Sequence, residues 1–462
     1  MGEIYSWMMR NSVLPIYDLA KGTSRFKFGR ILEKTQWLSR PEIERLQSRN
    51  LRVLLKHAYE TVPYYKRVFD ARGLSPSDIK SVNDLVKLPI LTKEDIQRNI
   101  ADLISRDFPR NRLIPYKTGG SADQINFYLT KEKLSWEVAA EYRAYRWAGY
   151  RLGDPCFMFW GSHMDLSGHK SMARRIIESF ERISIADTYV MSDEVLGRCA
   201  YSLEKFKPEI VRGYTTSVYM MAKYLLEKGV RTVRPRAVIT SAEALLDLRR
   251  KTIEEAFGCP VFDLYGAREI GAIAAECEEH SGYHISAENV ISEFVMDNEH
   301  VPTGERGLIL LTSLRNFGMP LIRYKIGDVG RPSDEVCNCG RGLPLMSSIE
   351  GRMSDFMAVY DRRLRRIVPM GPIYPVIILA LMQVPLKSCR AIQVSLDKIV
   401  VKAVKDHGYS SSHTDFLINY LHKFLGDNVM IEIEFVDFLP PLPSGKRSVF
   451  ISQLNPFQTA VI

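Results

Sequence analysis

The sequence predicts an α/β protein with a large N-terminal domain of β-sheets and helices and a small C-terminal α+β domain. A chain of 462 residues is too long for one compact core. Between about residues 112 and 330, short apolar runs alternate with helical stretches, as is typical of α/β architecture. After Asp355 the apolar pattern starts again. We therefore expect domains at 1–351 and 352–462.

The larger domain begins with helices. Pro41 lies shortly after Ser39, an arrangement typical of a helix start, and apolar residues follow at roughly helical spacing. These residues are Ile43, Leu46, Leu54, Leu55 and Ala58. Three apolar runs further on, at 155–160, 237–240 and 308–312, are predicted to be strands.

The smaller domain shows strand, helix and strand patterns in turn. The first strand material contains Ile392, Val394, Leu396, Ile399 and Val401. A helical face then contains Phe416, Leu417, Tyr420, Leu421 and Phe424, and it ends at Gly426. Val429, Ile431, Ile433 and Phe435 alternate with Glu432 and Glu434, as a strand with one solvated face would.

Composition favours a globular enzyme over a disordered chain, because 46% of the residues are hydrophobic and 25% are charged. The net charge of +9 fits anionic ligands such as nucleotides or CoA, or an acidic membrane surface. A generic basic surface is an equally good interpretation. We expect small-molecule partners and no nucleic acid.

The cysteines and the N-terminus predict a cytoplasmic protein. Seven cysteines form an odd, scattered set that does not suggest a disulfide framework. No charged segment followed by an apolar one opens the chain, and the most apolar internal run, 375–384, is too short to span a bilayer. A peripheral membrane contact stays open through an early interfacial helix, although we expect that segment to pack on the protein itself. Its apolar residues are Ile4, Trp7, Met8, Val13 and Leu14.

Three late segments suggest nucleotide chemistry: Arg-Tyr-Lys-Ile-Gly-Asp at 323–328, Ile-Glu-Gly-Arg-Met-Ser-Asp at 349–355, and Pro-Ser-Gly-Lys at 443–446. Asp328 follows a Gly turn and can accept hydrogen bonds from two ribose hydroxyls, and Arg352 is a second polar arm. Lys446 lies on a loop tip. Each segment alone would also fit an ordinary loop.

Together with the rest of the chain, these segments resemble the superfamily of acyl-CoA synthetases, peptide-synthetase adenylation domains and luciferases. The likeness is greatest to phenylacetate-CoA ligases and their CapK-like capsule-biosynthesis relatives. It begins with His-Ala-Tyr at 57–59, Val-Pro-Tyr-Tyr at 62–65 and Leu-Pro-Ile-Leu-Thr-Lys at 88–93. Tyr-Gly-Ala-Arg-Glu at 265–269 is similar to the family's Tyr-Gly-x-x-Glu signature. The resemblance implies an adenylate-forming fold whose small domain hinges at the residue matching Asp355.

The resemblance also implies roles around ATP, whose reaction requires spreading negative charge to be stabilised. Glu269 would bind Mg²⁺, and Lys446 would bridge the carboxylate oxygen and the α-phosphate. Tyr265 would stack on adenine, and Asp328 and Arg352 would hold the ribose. Further nucleotide contacts would come from Gly266, Arg268 and the backbone around Ser241, Ala242 and Glu243. Taken singly, Tyr265 could be core, Glu269 could pair with Arg268, and Lys446 could be solvated.

A Gly-rich turn occupies the position of the family's phosphate-binding loop, where backbone amides and hydroxyls can bind phosphates. Its binding candidates are Thr118, Gly119, Gly120 and Ser121. The loop departs from the pattern at Gly119 and Ala122, where hydroxyl residues are usual, and at Asp123, which replaces the closing Gly. A carboxylate close to a triphosphate would repel it, so efficient use of ATP is in question.

A second constellation consists of Cys277, His284, Cys337 and Cys339. Three thiolates and one imidazole suit structural zinc, and both halves lie where a zinc-bearing subset of the family has its ligands. His280 is a substitute for His284, and unpaired thiols beside a surface histidine are the plainer interpretation.

The resemblance implies that Trp160 and Tyr214 line the pocket for the acid, although such residues are more often core. The sequence therefore predicts a carboxylate ligase that uses ATP and Mg²⁺, forms an acyl-adenylate, releases pyrophosphate and transfers the acyl group to CoA. One alternative is an amide-forming ligase for an amino sugar or amino acid in surface-polysaccharide biosynthesis. Another is a nucleotide-binding relative that no longer catalyses.

Overall fold

The computed structural model describes residues 2–118, 124–160, 172–361, 366–372, 376–377, 380, 383–440 and 448–454. Its mixed α/β character confirms the predicted fold class. The chain divides into two compact units, Met1–Ile326 with Gly330–Ile349, and Gly327–Val329 with Glu350–Ile462. The domain boundaries drawn from the sequence stay a prediction.

The first unit contains the helices Gly2–Met8 (α1), Leu14–Ala20 (α2), Arg25–Thr35 (α3), Arg40–Thr61 (α4), Pro63–Asp70 (α5), Lys93–Asn99 (α6), Lys131–Trp147 (α7), Met172–Glu181 (α8), Asp193–Phe206 (α9), Thr215–Glu227 (α10) and Asp247–Phe257 (α11). Helix α4 begins at the predicted position because Ser39 and Glu42 form a capping box and Pro41 lies in the first turn.

Strands up to residue 352 are Ile114–Lys117 (β1), Asn126–Leu129 (β2), Cys156–Trp160 (β3), Ile183–Asp187 (β4), Ile210–Tyr214 (β5), Ala237–Ser241 (β6), Val261–Ala267 (β7), Gly271–Glu276 (β8), Tyr283–Ile285 (β9), Val290–Met296 (β10), Glu299–His300 (β11), Gly307–Ser313 (β12), Tyr324–Ser333 (β13) and Leu345–Arg352 (β14). Strands β1 and β2 pair as an antiparallel hairpin. In the part of the chain that the structure describes, the remaining strands form one sheet in the order β11-β10-β12-β13-β14-β9-β8-β7-β6-β5-β3-β4.

The sheet changes character at β7. Strands β4, β3, β5, β6 and β7 pair in parallel, whereas β7 with β8, and β8 with β9, pair antiparallel. The parallel part is covered on both faces, which explains its apolar sequences. One face packs residues such as Phe157 and Val211 against α9, α10 and α11. The other packs Met158 and Ile210 against α7.

The second unit contains the strands Phe356–Asp361 (β15), Arg366–Pro372 (β16), Leu386–Ser395 (β17), Lys398–Lys405 (β18), Met430–Phe435 (β19) and Phe450–Ser452 (β20), and helix Ser411–Leu425 (α12). Four of the strands form a sheet in the order β19-β18-β17-β20. The apolar stretch around residue 392 is the antiparallel pair β17 and β18, and α12 ends before Gly426, which has a φ of 85°.

The N-terminal segment packs on the protein with only part of its apolar surface. Met9 and Leu14 are buried, whereas Ile4 and Trp7 are 67% and 59% exposed. The segment therefore packs on the protein through Met9 and Leu14, as expected, and leaves Ile4 and Trp7 exposed. Among the helices that the structure describes, none combines the length and apolar character needed to cross a bilayer.

Candidate active site and Cys3His cluster

The parallel strands bring several predicted site residues to one edge of the sheet. Trp160, Tyr214 and Ser241 are the last residues of β3, β5 and β6, which are neighbours in the sheet. In open α/β sheets, ligands bind outside the carboxyl ends of the strands. Ala242, the residue after β6, has a φ of 72°, a left-handed conformation that is uncommon without glycine and is often found at functional sites.

Glu243 follows Ala242 and fixes this turn. Its carboxylate Oε2 accepts a hydrogen bond from the backbone N–H of Thr216 at 2.8 Å, at the start of α10. The Thr215 hydroxyl donates to the Glu243 carbonyl at 2.9 Å. The side chain of Glu243 is therefore used in capping a helix, and the Thr215 hydroxyl holds the backbone of the turn at Glu243.

The next strand ends in the Tyr-Gly-Ala-Arg-Glu segment. Tyr265 is buried and belongs to the main hydrophobic core. The alternative interpretation of Tyr265 as a core residue therefore holds for at least part of its ring. Gly266 is needed sterically, since an added Cβ would lie 3.0 Å from the carbonyl oxygen of Gly271. The turn that follows connects β7 to β8 and carries Arg268 and Glu269.

Glu269 is buried, with 6% of its surface exposed. Its Oε1 accepts a hydrogen bond from the Tyr324 hydroxyl at 3.0 Å. Among the described residues no lysine, arginine or histidine forms an ion pair with Glu269, so the alternative pairing with Arg268 is not observed. A buried carboxylate held by a hydroxyl retains lone pairs for a hard cation such as Mg²⁺.

Arg268 connects this turn to the base of the Gly-rich loop. Its Nη1 lies 3.5 Å from the carbonyl oxygen of Lys117, at the end of β1. Two hydrogen bonds join Thr118 to Ile125 at the loop end of the hairpin. The Thr118 N–H donates to Ile125 O at 3.1 Å, and the Thr118 hydroxyl accepts from Ile125 N at 3.0 Å. Gly119, Gly120 and Ser121 lie outside the described residues, as does Asp123.

In the second unit, Asp328 lies on β13 directly after Gly327, whose φ is 92°. Asp328 is buried at 7% exposure, and its Oδ1 lies 3.6 Å from Nε of Arg352. The structure therefore brings together the two residues expected to hold the ribose. Lys446 lies outside the described residues.

The aromatic pair expected to line the acid pocket is also brought together. The ring centroids of Trp160 and Tyr214 are 4.9 Å apart with an interplanar angle of 52°. Tyr214 is buried and Trp160 is partly exposed. Such a pair can wall an apolar or aromatic ligand at the edge of the sheet.

The side chains of the four residues predicted to bind zinc lie close together. The ligand atoms of Cys277, His284, Cys337 and Cys339 all lie within 4.8 Å of one another, and we call these four residues the Cys3His cluster. The Sγ atoms of Cys277 and Cys337 are 3.6 Å apart, and Cys339 Sγ is 3.3 Å from His284 Nε2. Ligands about 2.3 Å from a tetrahedral zinc are about 3.8 Å apart, so these spacings fit that metal.

The electrostatics of the cluster favour a bound cation at His284 and Cys337 but not at Cys277, because burial raises the pKa of the Cys277 thiol well above its ordinary value. Burial lowers the pKa of His284 to about 4, which keeps the imidazole neutral with a lone pair available. Burial raises the pKa of Cys337, but hydrogen bonds from Ser281 and its cluster neighbours outweigh it and bring the pKa below the ordinary value. His280 is turned elsewhere, since its Nδ1 lies 3.4 Å from the Glu276 carboxylate.

Sequence reasoning missed several buried polar residues next to the site. Lys133 is fully buried on α7, where its Nζ contacts the Ile270 carbonyl and lies 2.8 Å from Glu137. Asp263, two residues before Tyr265, accepts hydrogen bonds from Thr240 and Tyr283. Burial, and then the nearby charge of Glu276, raise the pKa of Asp263 to about 7. Both Lys133 and Asp263 are charged residues at apolar positions of a helix or strand, and that pattern could have identified them in the sequence.

The chain is similar in sequence and in fold to known proteins. The family model described as the CapK C-terminal domain matches residues 377–453. Protein CapK of Staphylococcus aureus is 25% identical over 415 residues, which cover 89% of each chain. The phenylacetate-coenzyme A ligase of Thermus thermophilus is 26% identical over 332 residues, 70% of this chain and 73% of that protein.

Among solved structures, 2-hydroxyisobutyryl-CoA ligase in complex with R3-HIB-AMP matches with a TM-score of 0.71 and 19% identity, over 92% of each chain. The amide bond synthetase McbA from Marinactinospora thermotolerans matches with a TM-score of 0.51 and 17% identity, over 74% of this chain and 68% of that one. The fold is that of the adenylate-forming ligases. In sequence the chain is similar to CapK and to the phenylacetate-CoA ligases, as the motifs predicted.

Proposed function

We propose that the protein is an ATP-dependent carboxylate ligase of the adenylate-forming class, with CoA as acceptor. An oxygen of the acid attacks the α-phosphorus of ATP and pyrophosphate leaves. The CoA sulfur then attacks the acyl carbon and AMP leaves. The observation that carries the proposal is Glu269, a buried carboxylate without an ion-pair partner among the described residues, in the turn after a parallel strand.

Each predicted residue then has a role. Glu269 would hold Mg²⁺, which when bound neutralises charge on the phosphates. Tyr265 and the backbone of 241–243 bind adenine, and Gly266 lets the backbone approach the nucleotide. Arg268 and the loop that starts at Thr118 bind phosphate oxygens, in keeping with the contact of Arg268 with the carbonyl oxygen of Lys117, the residue before Thr118. Trp160 and Tyr214 bind the acid.

In the second unit, Asp328 accepts hydrogen bonds from the ribose hydroxyls and Arg352 orients Asp328. Lys446 stabilises the charge that develops at the α-phosphate during adenylation. We further propose that the Cys3His cluster binds one structural zinc ion, and that the enzyme works in the cytoplasm, where ATP and CoA are available.

The acceptor has a second candidate. Protein CapK of Staphylococcus aureus matches 89% of this chain, and its name gives no acceptor. The alternative is that the acyl group passes to an amine of an amino sugar or amino acid in surface-polysaccharide biosynthesis. Formation of product with CoA, with amines, or with both distinguishes the two acceptors.

The test is acid-dependent exchange of radiolabelled pyrophosphate into ATP across a panel of carboxylic acids, with hydroxylamine to trap the activated acyl group. Lys446→Ala should slow exchange by orders of magnitude while ATP binding is kept, because the lysine acts in the transition state. Lys423→Ala, on the last turn of α12, is the matched control. Unchanged exchange in Lys446→Ala, or a wild type that binds ATP without exchange with any acid, would refute the proposal.

A further inference from the structure

An arginine lies one layer beneath the aromatic pair at the edge of the sheet. Arg212 and Tyr214 are two residues apart on β5, so their side chains are on the same face. The register pairs Arg212 with Met158 on β3 and with Ile239 on β6. Since β-strands rise about 3.3 Å per residue, Arg212 lies about 6.6 Å deeper than Tyr214 along the strand.

The guanidinium of Arg212 has little polar compensation. Its Nη2 contacts the sulfur of Met158 at 3.0 Å, and its Cζ lies 4.8 Å from the ring centroid of Tyr145 on α7. Its Nε is buried without a hydrogen-bond partner. Among the described residues, no carboxylate lies within ion-pair distance of it. The Glu141 carboxylate, one turn away on α7, accepts the Tyr145 hydroxyl at 2.7 Å.

Two other buried arginines of the same unit show what a structural role looks like. Arg143 lies 2.7 Å from the Glu288 carboxylate, and Arg323 lies 3.0 Å from that of Glu293. A buried guanidinium without an anion is costly, because a thioether and an aromatic ring replace little of its hydration. Arg212 as a residue is partly exposed, although its Nε is buried.

We propose that Arg212 binds a second carboxylate, at the far end of the acid that the enzyme activates. This inference rests on the proposed function and deepens it by naming the substrate class as dicarboxylic acids. The reacting carboxylate stays at the edge of the sheet, the body of the acid contacts Trp160 and Tyr214, and the far carboxylate accepts hydrogen bonds from Arg212. A planar guanidinium suits a carboxylate because two N–H groups can donate side by side.

The probes are 4-carboxyphenylacetate, which carries the second carboxylate, and 4-methylphenylacetate, which replaces it with a methyl group. In acid-dependent exchange, the wild type should prefer the diacid by about tenfold or more in kcat/KM, the range expected for hydrogen bonds to a charged group. Arg212→Gln should remove this preference and Arg212→Lys should keep part of it. Met158→Leu, which leaves the guanidinium in place, should keep it, and Arg198→Gln on the surface of α9 is the control for loss of an arginine.

Binding of both probes to the full chain, measured by calorimetry, separates the two proposals. Preferential binding of the diacid that Arg212→Gln abolishes supports the inference even where exchange is absent, an outcome that would count against the proposed function alone. Equal binding of the two probes by the wild type overturns the inference. An equal loss for both probes in Arg212→Gln, with normal folding, also overturns it, because a merely structural role predicts that result. The wild-type comparison decides the matter if a variant does not fold.

Discussion

Two kinds of buried charge in the first unit differ in how the chain compensates them. Glu293 is fully buried and lies 3.0 Å from Nε of Arg323, whose side chain is equally buried. Glu269, only slightly more exposed, receives a tyrosine hydroxyl, and the thiols and imidazole of the Cys3His cluster contact one another. Glu293 is thus compensated by a cation of the fold itself, although burial still raises its pKa to about 7, whereas no such cation pairs with Glu269 among the described residues.

The largest effect should come from the Cys3His cluster. If the four side chains bind zinc, elemental analysis of chelator-free protein should give about one zinc per chain. Cys337→Ser should destabilise the protein by more than about 4 kcal/mol, because structural metal contributes to folding. Cys259→Ser, at a partly exposed cysteine outside the cluster, should change the melting temperature little. Wild-type protein that is purified without zinc and is no more stable than Cys337→Ser prepared in the same way would contradict this prediction.

Next in size is the internal ion pair. Glu293→Gln leaves Arg323 buried and unpaired, which should cost about 3–5 kcal/mol of unfolding free energy in chemical denaturation. The double variant Glu293→Gln with Arg323→Met should recover part of the loss, since no isolated charge remains. A strictly additive double variant would show that the pair is not coupled.

Glu269→Gln should have the opposite profile. The neutral amide can still accept the Tyr324 hydroxyl but is a poor ligand for Mg²⁺, so pyrophosphate exchange should fall about 10²- to 10³-fold. The melting temperature should stay within about 2 °C of the wild type, because no ion pair is broken. Loss of stability without a specific loss of exchange would assign Glu269 to the same structural class as Glu293.

Asp263 provides a third, smaller case, in which a proton compensates the carboxylate. Its pKa of about 7 lies above the ordinary 3.8, so the stability it contributes is fully present below about pH 3.8 and is lost as the pH rises through about 7. Asp263→Asn should therefore gain about 1–4 kcal/mol relative to the wild type between pH 5 and pH 8. Parallel stability curves for the two proteins over that range would rule out the raised pKa.

The smallest effect concerns Asp123, the carboxylate that replaces a glycine in the predicted phosphate loop. Repulsion of the phosphates should cost on the order of 1 kcal/mol, so Asp123→Gly should tighten ATP binding about fivefold. Ala122→Thr should help further by restoring a hydroxyl, although adjacent changes will not add simply. An unchanged dissociation constant with lower stability would indicate that Asp123 only stabilises the turn.

Local patterns predicted much of the fold. The strands expected at 155–160, 237–240 and 308–312 are β3, β6 and β12, and α12 ends where Gly426 predicted. The antiparallel half of the sheet was not predicted, and one of its pairings, β9 with β14, joins segments far apart in sequence. Tertiary packing, which no local period records, decides such contacts.

The sequence likewise predicted only some residues of the candidate site. Cys337 and Cys339 were visible from their spacing, and Glu269 from its motif. The Tyr324 hydroxyl, which donates to Glu269, belongs to the segment 323–328 that was singled out for Asp328. The two residues are 55 positions apart in the sequence. Arg212 looked like an ordinary strand residue in the sequence. Only the folded structure places it against Met158 on β3 and the ring of Tyr145 on α7. Charge compensation is a property of the folded neighbourhood and could not be derived from sequence order.

We infer that Glu269 acts in catalysis, whereas Glu293 stabilises the fold. The most direct test is acid-dependent ATP–pyrophosphate exchange measured side by side for the wild type, Glu269→Gln and Glu293→Gln, at a temperature where all three are folded. The account predicts exchange in the wild type, a loss of about 10²- to 10³-fold in Glu269→Gln, and near-normal exchange per folded molecule in Glu293→Gln. Equal exchange in the two variants, or none in the wild type with any acid, would contradict it.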